Sequence, residues 1–324
     1  MRAPEFWDST SASSRVLSTL LAPLGWGYGA SIAWKAKHAQ PFRPRAKVIC
    51  VGNLTAGGTG KTPVVARIVS ALRAKGKRAF VLTRGYGGHI ATAVQVDPAR
   101  HTAADVGDEA LLLARNAPVI VSRDRRAGAV LADQLGADAI VMDDGYQNFA
   151  LAKDLSLVVV DAEGGFGNGA VLPAGPLREP IEQGLSRTDA VVLIGNGSPD
   201  LKGFKGAVLR ARIAPRPATE LSGRRVVAFA GIGRPEKFFQ SLRDAGAEVV
   251  QTHRFADHHP YSAAELTRLA GIARTLDASL ITTEKDYARL SPMERKEILT
   301  LPVEVQFADE AALTGLLDSL WANA

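Results

Sequence analysis

Val48 to Val65, VICVGNLTAGGTGKTPVV, constrains this chain more than any other stretch. Four apolar residues read as a short buried strand. A glycine-rich turn follows, then Lys61, Thr62 and Pro63, and then apolar residues at helical spacing (Val65, Ile68, Val69, Leu72) up to Gly76. The order strand, glycine loop, lysine, helix fits the phosphate-binding pattern G-x-x-x-x-G-K-[ST]. Glycines let backbone N–H groups turn inward around phosphate oxygens, and the helix that follows presents its positive end to them. Thr55, Ala56, Gly57, Gly58, Thr59, Gly60, Lys61 and Thr62 are therefore the expected nucleotide cradle. Lys61 would reach the β- and γ-phosphates, and the Thr62 hydroxyl would bind Mg²⁺. Pro63 suits a first helical turn, where its missing N–H is not needed. The strict pattern asks for glycine at residue 55, where this chain has Thr55; Gly57 and Gly58 are expected to supply the flexibility. The plain alternative is a strand–turn–helix with a solvated lysine.

Further apolar runs alternate with helical patterns: Ala79–Thr83, Pro118–Ser122, Ala139–Met142, Leu157–Val160 and Ala190–Gly195. Continuous apolar strands separated by helices predict a parallel sheet covered on both faces. Past Ser222 come a strand at Val226–Gly233, a helix to about Ala245 and a strand from Glu248. A helix at Ala263–Leu276, strands at Ser279–Thr283 and Val303–Phe307, and a helix at Glu310–Leu320 complete the chain. With 324 residues and 46% apolar composition, roughly two domains are expected. The expected fold class is α/β: a phosphate-loop parallel-sheet domain, a second, smaller α/β domain and an amino-terminal membrane-associated helix. The expected divisions are 1–40, 41–215 and 216–324, with the linker at Ile213–Gly223. The lone Cys50 builds neither a disulfide framework nor a zinc site.

From Val16 to Trp34 there is no charged residue, while Lys35, Lys37, Arg43, Arg45 and Lys47 follow. Pro23, three glycines and several hydroxyl residues make the run weakly hydrophobic. Trp26, Tyr28 and Trp34 favour membrane–water interfaces, and the basic cluster suits anionic headgroups. The segment reads as helical structure lying on or dipping into a membrane surface. Packing on the protein's own core and a true span are the alternatives; a cleaved signal is not expected.

Asp143 and Asp144 stand at the carboxyl end of a strand, where an acid holds Mg²⁺ beside the loop threonine; a turn cap is the alternative. Asp108 and Glu109 open a helix and read either as helix-dipole acids or as a base and a metal-shell carboxylate. Arg84, in RGYGG, either meets an anion or sits in a plain turn. LPAGPLREP places Arg178 and Glu179 in a long loop of the kind that carries function. HRFADHHPY brings His253, Asp257, His258 and His259 together, where an acid–imidazole pair can act as a base; their spacing does not suit zinc. A guanine-reading N-K-x-D is excluded for TEKD (Thr283–Asp286) because its lysine and aspartate are adjacent. A net charge of +6 without a basic helix or aromatic RNA motif argues against nucleic acid. A nucleotide-gated membrane adaptor without transfer activity remains a rival reading.

VGNLTAGGTGKTP, TRGYGG, VGDEA, MDDGYQN, LPAGPLREP, FADHHPY and TTEKD occur here in the order found in the tetraacyldisaccharide 4′-kinases of lipid A assembly, and most of the chain resembles that family. The resemblance implies ATP- and Mg²⁺-dependent transfer of the γ-phosphate to the 4′-hydroxyl of a tetraacyldisaccharide 1-phosphate, giving lipid IVA. It implies a site at the cytoplasmic face of the bacterial inner membrane, with no obligate protein partner. By position, Lys61 and Thr62 match the loop lysine and metal-binding threonine. Asp108 matches the catalytic base, supported by His258. Glu109, Asp143 and Asp144 match metal and active-site acids, and Arg178 and Glu179 match functional loop residues. Arg125, or else Arg126, matches a family arginine. Gln147 matches the family's DDG-x-Q-H segment, but Asn148 replaces its usual histidine, and an amide cannot take up a proton as imidazole does.

Overall fold

The structure, a computed structural model, describes residues 4–7, 11–216 and 221–322. A long helix α1 (Ala12–His38) precedes β1 (Lys47–Gly52) and α2 (Lys61–Ala74). Then come β2 (Ala79–Thr83), β3 (Val94–Gln95), α3 (Ala103–Val106), α4 (Asp108–Ala114), β4 (Val119–Val121), α5 (Arg125–Gln134) and β5 (Ala139–Asp143). β6 (Leu155–Asp161), α6 (Ile181–Leu185), β7 (Ala190–Ile194) and β8 (Ala207–Pro215) follow. The second unit holds β9 (Arg225–Ala230), α7 (Pro235–Asp244), β10 (Glu248–Arg254), α8 (Ala263–Thr275), β11 (Ser279–Thr283), α9 (Glu284–Arg289) and β12 (Ile298–Leu301). β13 (Val303–Phe307) and α10 (Glu310–Asp318) end the chain.

Among the described residues the strands form a nine-stranded sheet, β13-β8-β7-β6-β1-β5-β2-β4-β3, and a four-stranded sheet, β10-β9-β11-β12. The large sheet is parallel except for its edges, where β13 and β3 run antiparallel to their neighbours. Its strands bury both faces, which is why they read as unbroken apolar runs. One face packs Ile49, Val51, Val141 and Leu157 against α2 (Val65, Ile68, Leu72) and α10 (Leu313, Leu317). The other packs Val48, Cys50, Met142 and Val158 against Ala129 and Ala132 of α5 and Ile181 and Leu185 of α6. The chain winds first to one side of β1 and then, from β6, to the other. This reversal opens a crevice at the carboxyl ends of the strands, the usual ligand position in such sheets.

The expected carboxy-terminal unit of 216–324 needs correction. β13 returns to the large sheet and pairs with β8 from Val303↔Pro215 to Phe307↔Ala211. The smaller unit is thus inserted between two antiparallel neighbours, and α10 belongs to the first core. The expected linker also starts too early, since Ile213–Pro215 are strand residues; residues 217–220 of it lie outside the described residues.

Candidate active site

β1 runs into the glycine loop, whose unusual backbone falls on glycines: Gly57 has φ 119° and Gly60, the N-cap of α2, φ 83°. Thr55 is not among the residues with positive φ. It forms a β-bridge with Leu177, and the Ala56 N–H donates to Pro176 O at 2.7 Å. Residue 55 therefore needs no glycine, because Thr55 and Ala56 back onto the 172–180 loop. Gly57 to Thr62 face the crevice.

The crevice is a cleft of 1880 Å³ between the two units. Asp143, at the end of β5, is buried on its floor, and no protein donor among the described residues reaches either carboxylate oxygen. Burial, with the charge of Glu109, pushes its pKa up to about 7. Asp144 differs: Arg178 Nη1 and Nη2 grip its two oxygens at 2.8 and 3.2 Å, and Lys61 Nζ lies 3.6 Å from Oδ1. Burial raises its pKa, but Lys61 and Arg178 more than offset this and hold it below the ordinary range. Gln147 Nε2 donates to Asn53 O at 3.1 Å and to Glu179 Oε1 at 2.9 Å. Glu179 is fully buried, with Arg187 Nη2 on its other oxygen at 2.6 Å, so it braces the site from behind and does not face the cleft.

Arg125 is buried, lines the cleft near Asp143 and Asp144, and donates to Ser122 O at 2.7 Å. Arg126 points elsewhere, over the Phe42 ring at 4.9 Å. Of the two arginines, the cleft therefore receives Arg125. Arg84 and Asn148 also line it; Asn148 Oδ1 accepts the Ala150 N–H at 3.1 Å.

The opposite wall comes from both units. Asp108 and Glu109 open α4, while His258 follows β10 with φ 58°. Asp108 Oδ2 lies 3.1 Å from His258 Nδ1 and accepts from Arg289 Nε at 2.7 Å and Nη2 at 2.5 Å. Burial alone would raise the Asp108 pKa, but the His258 hydrogen bond and the charges of Lys285 and Arg289 hold it well below the usual carboxylate range. Asp108 was expected as the catalytic base, supported by His258. Instead Glu109 and His258 line the cleft and Asp108 sits behind the imidazole. Glu109 pairs with Lys285 at 2.9 Å. His259 belongs to the cap of α8, 3.0 Å from Glu265, and His253 lies on β10 outside the cleft.

Sequence reasoning missed Arg187, Lys285 and Arg289, and also the bridge from Asp161 at the end of β6 to Arg234 and Lys237 of the smaller unit. Only TTEKD offered a local signal, and it assigned no role to Lys285. Among the described residues no three His, Cys, Asp or Glu side chains converge as a self-sufficient metal site. Asp143, with two unpartnered oxygens beside Thr62 and Glu109, still fits a hard cation that brings phosphate and water as further ligands.

Residues 17–322 match the family model described as Tetraacyldisaccharide-1-P 4′-kinase. The chain is 50% identical to the tetraacyldisaccharide 4′-kinase of Rhodospirillum centenum over 99% of its own length and 97% of that protein. It is also 50% identical to the one from Paramagnetospirillum magneticum, over the whole of both. Among solved structures it resembles the "apo" form of LpxK from Aquifex aeolicus in complex with ATP, with a TM-score of 0.75 and 26% identity over 94% of this chain and 99% of that one.

Proposed function

This chain belongs to the tetraacyldisaccharide 4′-kinase family, and on that premise we propose which of its residues do the work. It is a kinase: the γ-phosphoryl group of ATP passes to the 4′-hydroxyl of a tetraacylated disaccharide 1-phosphate, and the product is lipid IVA. The assignment of roles rests on one observation, the convergence of the glycine loop, Lys61 and the unpartnered Asp143 in a single cleft.

The amides of Gly57 to Thr62 and the Lys61 ammonium hold the triphosphate, with Lys61 aimed by Asp144. Thr62, Asp143 and Glu109 would hold Mg²⁺, which when bound supplies charge neutralisation at the phosphate oxygens. Asp144, expected among the metal acids, instead holds Lys61 and Arg178. Arg125 adds positive charge beneath the phosphoryl group in transfer. The Asp108–His258 pair takes the hydroxyl proton as the new O–P bond forms and the bond to the β–γ bridging oxygen breaks, releasing ADP.

The acceptor is a lipid, and α1 offers a route to it. Val16, Leu20, Leu24 and Tyr28 recur every fourth residue as an exposed stripe, with Trp26 and Trp34 exposed nearby. Gly25 and Gly29, on another face, lie against Val171 and Pro180 of the loop that carries Arg178. α1 is long and apolar enough to cross a membrane. One docked face and one exposed apolar stripe suit a helix lying in the surface, at the cytoplasmic leaflet of the inner membrane where ATP is present.

The test is incubation with γ-labelled ATP, Mg²⁺ and tetraacyldisaccharide 1-phosphate, followed by mass analysis. Label in the lipid at the 4′ position is expected, and Lys61→Ala should lower the rate by roughly 10²-fold or more. Label released only as inorganic phosphate would refute the reading.

A further inference from the structure

The TTEKD segment and the arginine that follows it have no role in the reaction as described so far, yet they build a buried polar cluster at the join of the two units. Thr283 caps α9, and its hydroxyl donates to Asp286 Oδ2 at 2.7 Å. Asp286 is fully buried; it also accepts the Gly231 N–H at 3.1 Å and the Tyr261 hydroxyl at 2.9 Å. It is thus a fixed acceptor with no freedom to swing. Arg289 Nη1 donates to Asp286 Oδ1 at 2.7 Å and to Gly231 O at 3.0 Å. The opposite edge of the same guanidinium, Nε and Nη2, is aimed at Asp108 Oδ2. The Arg289 and Asp108 side chains are only 9% and 5% exposed.

A planar guanidinium held along one edge points its other edge in one direction. Arg289 therefore carries the rigidity of the smaller unit across to the first residue of α4. Its effect reaches the imidazole. Lys285 Nζ lies 3.3 Å from His258 Nε2, and an ammonium can only donate. Asp108 Oδ2 lies 3.1 Å from the other ring nitrogen, Nδ1. These contacts, with Arg289 Nη2 at 3.4 Å from Nδ1, hold the imidazole at both of its ring nitrogens.

We infer that Arg289 is a positioning residue for phosphoryl transfer: anchored by Asp286, it fixes Asp108, and Asp108 in turn holds the His258 imidazole at the cleft. The inference rests on the proposed role of the Asp108–His258 pair, but it adds the claim that the pair works only while α9 holds it from the smaller unit. Arg289 is not among the residues that line the cleft, so its removal should alter turnover and leave nucleotide affinity alone.

The test compares Arg289→Met, Arg289→Lys, Asp108→Asn and the double variant Arg289→Met/Asp108→Asn in the full-length kinase. The readouts are kcat, KM for ATP and melting temperature. In Arg289→Met, kcat is expected to fall about 10²-fold while KM for ATP stays within about twofold. Arg289→Lys keeps the charge but cannot span Asp286 and Asp108 together, so it should recover only part of kcat. If Arg289→Met does not fold, Arg289→Lys decides: reduced kcat with an unchanged KM for ATP supports the inference, and wild-type kcat overturns it. The double variant should be no slower than Asp108→Asn alone, because both changes disable one unit. A merely structural salt bridge would lower the melting temperature in Arg289→Met and leave kcat per folded molecule intact; that result overturns the inference while the reading of Asp108 stands. Wild-type turnover in Asp108→Asn would instead remove the reading, and the inference with it.

Discussion

Asp143 and Asp144 are neighbours in sequence with opposite surroundings. Asp144 is held by Arg178 and Lys61, whereas both oxygens of Asp143 are buried without a donor. A carboxylate kept in that state favours any cation that completes its shell. Mg²⁺ with a non-hydrolysable ATP analogue should therefore raise the melting temperature, by about 2.7 kcal/mol of stability at a hundred times Kd. Asp143→Asn should lose the Mg²⁺-dependent part while remaining folded; equal stabilisation of both proteins would refute the assignment. The glycine loop and the acid pair were legible in the sequence because each is a contiguous pattern tied to a strand end. The difference between the two aspartates was not, since it depends on Arg178 from a distant loop. The place of Asp108 behind His258 was equally hidden, because its partner Arg289 lies 181 residues away.

Among the elements, α1 shows how small residues serve an apolar helix. A Cβ on Gly25 would sit 2.7 Å from Val171 O, closer than real side chains approach. Gly25→Val should thus push α1 off the 171–180 loop, costing about 1–3 kcal/mol and raising KM for lipid more than for ATP; a thermal melt and paired KM measurements check this. Leu20→Glu, on the exposed stripe, should leave the melt unchanged and reduce flotation with anionic vesicles. The buried parallel strands were readable because covered on both faces they run apolar without a break. β8 was not: AVLRARIAP alternates exposed and buried positions and carries Arg210 and Arg212, so its end passed for linker. The helical nature of the amino end was readable from its missing charges; its continuity through Pro23 was not.

For the whole molecule, the smaller unit is joined to the larger through the β8–β13 pair and by ion pairs on two sides of the cleft, Asp108–Arg289 and Asp161–Arg234/Lys237. Burial raises the Asp161 pKa, but the Lys237 hydrogen bond, the Gly164 N–H and the Arg234 charge bring it below the ordinary 3.8. A depressed carboxylate contributes stability that is complete above its unfolded value and is lost as pH falls through the folded one. Wild type should therefore melt above Asp161→Asn at neutral pH, with the gap closing below about pH 3.8; a gap that does not depend on pH would contradict this. The two-unit plan was legible, but the return of β13 and α10 to the first sheet was not, because a strand's periodicity does not say which sheet receives it.

The central claim is that the cleft between these units grips a triphosphate through the glycine loop and Lys61, above Asp143. A crystal structure with Mg²⁺ and adenylyl imidodiphosphate tests it most directly. Phosphate density in contact with the amides of residues 57–62 and with Lys61 Nζ, and a metal against Asp143, is the predicted result. Nucleotide bound elsewhere, or a loop closed onto its neighbours with Lys61 still on Asp144, would contradict it.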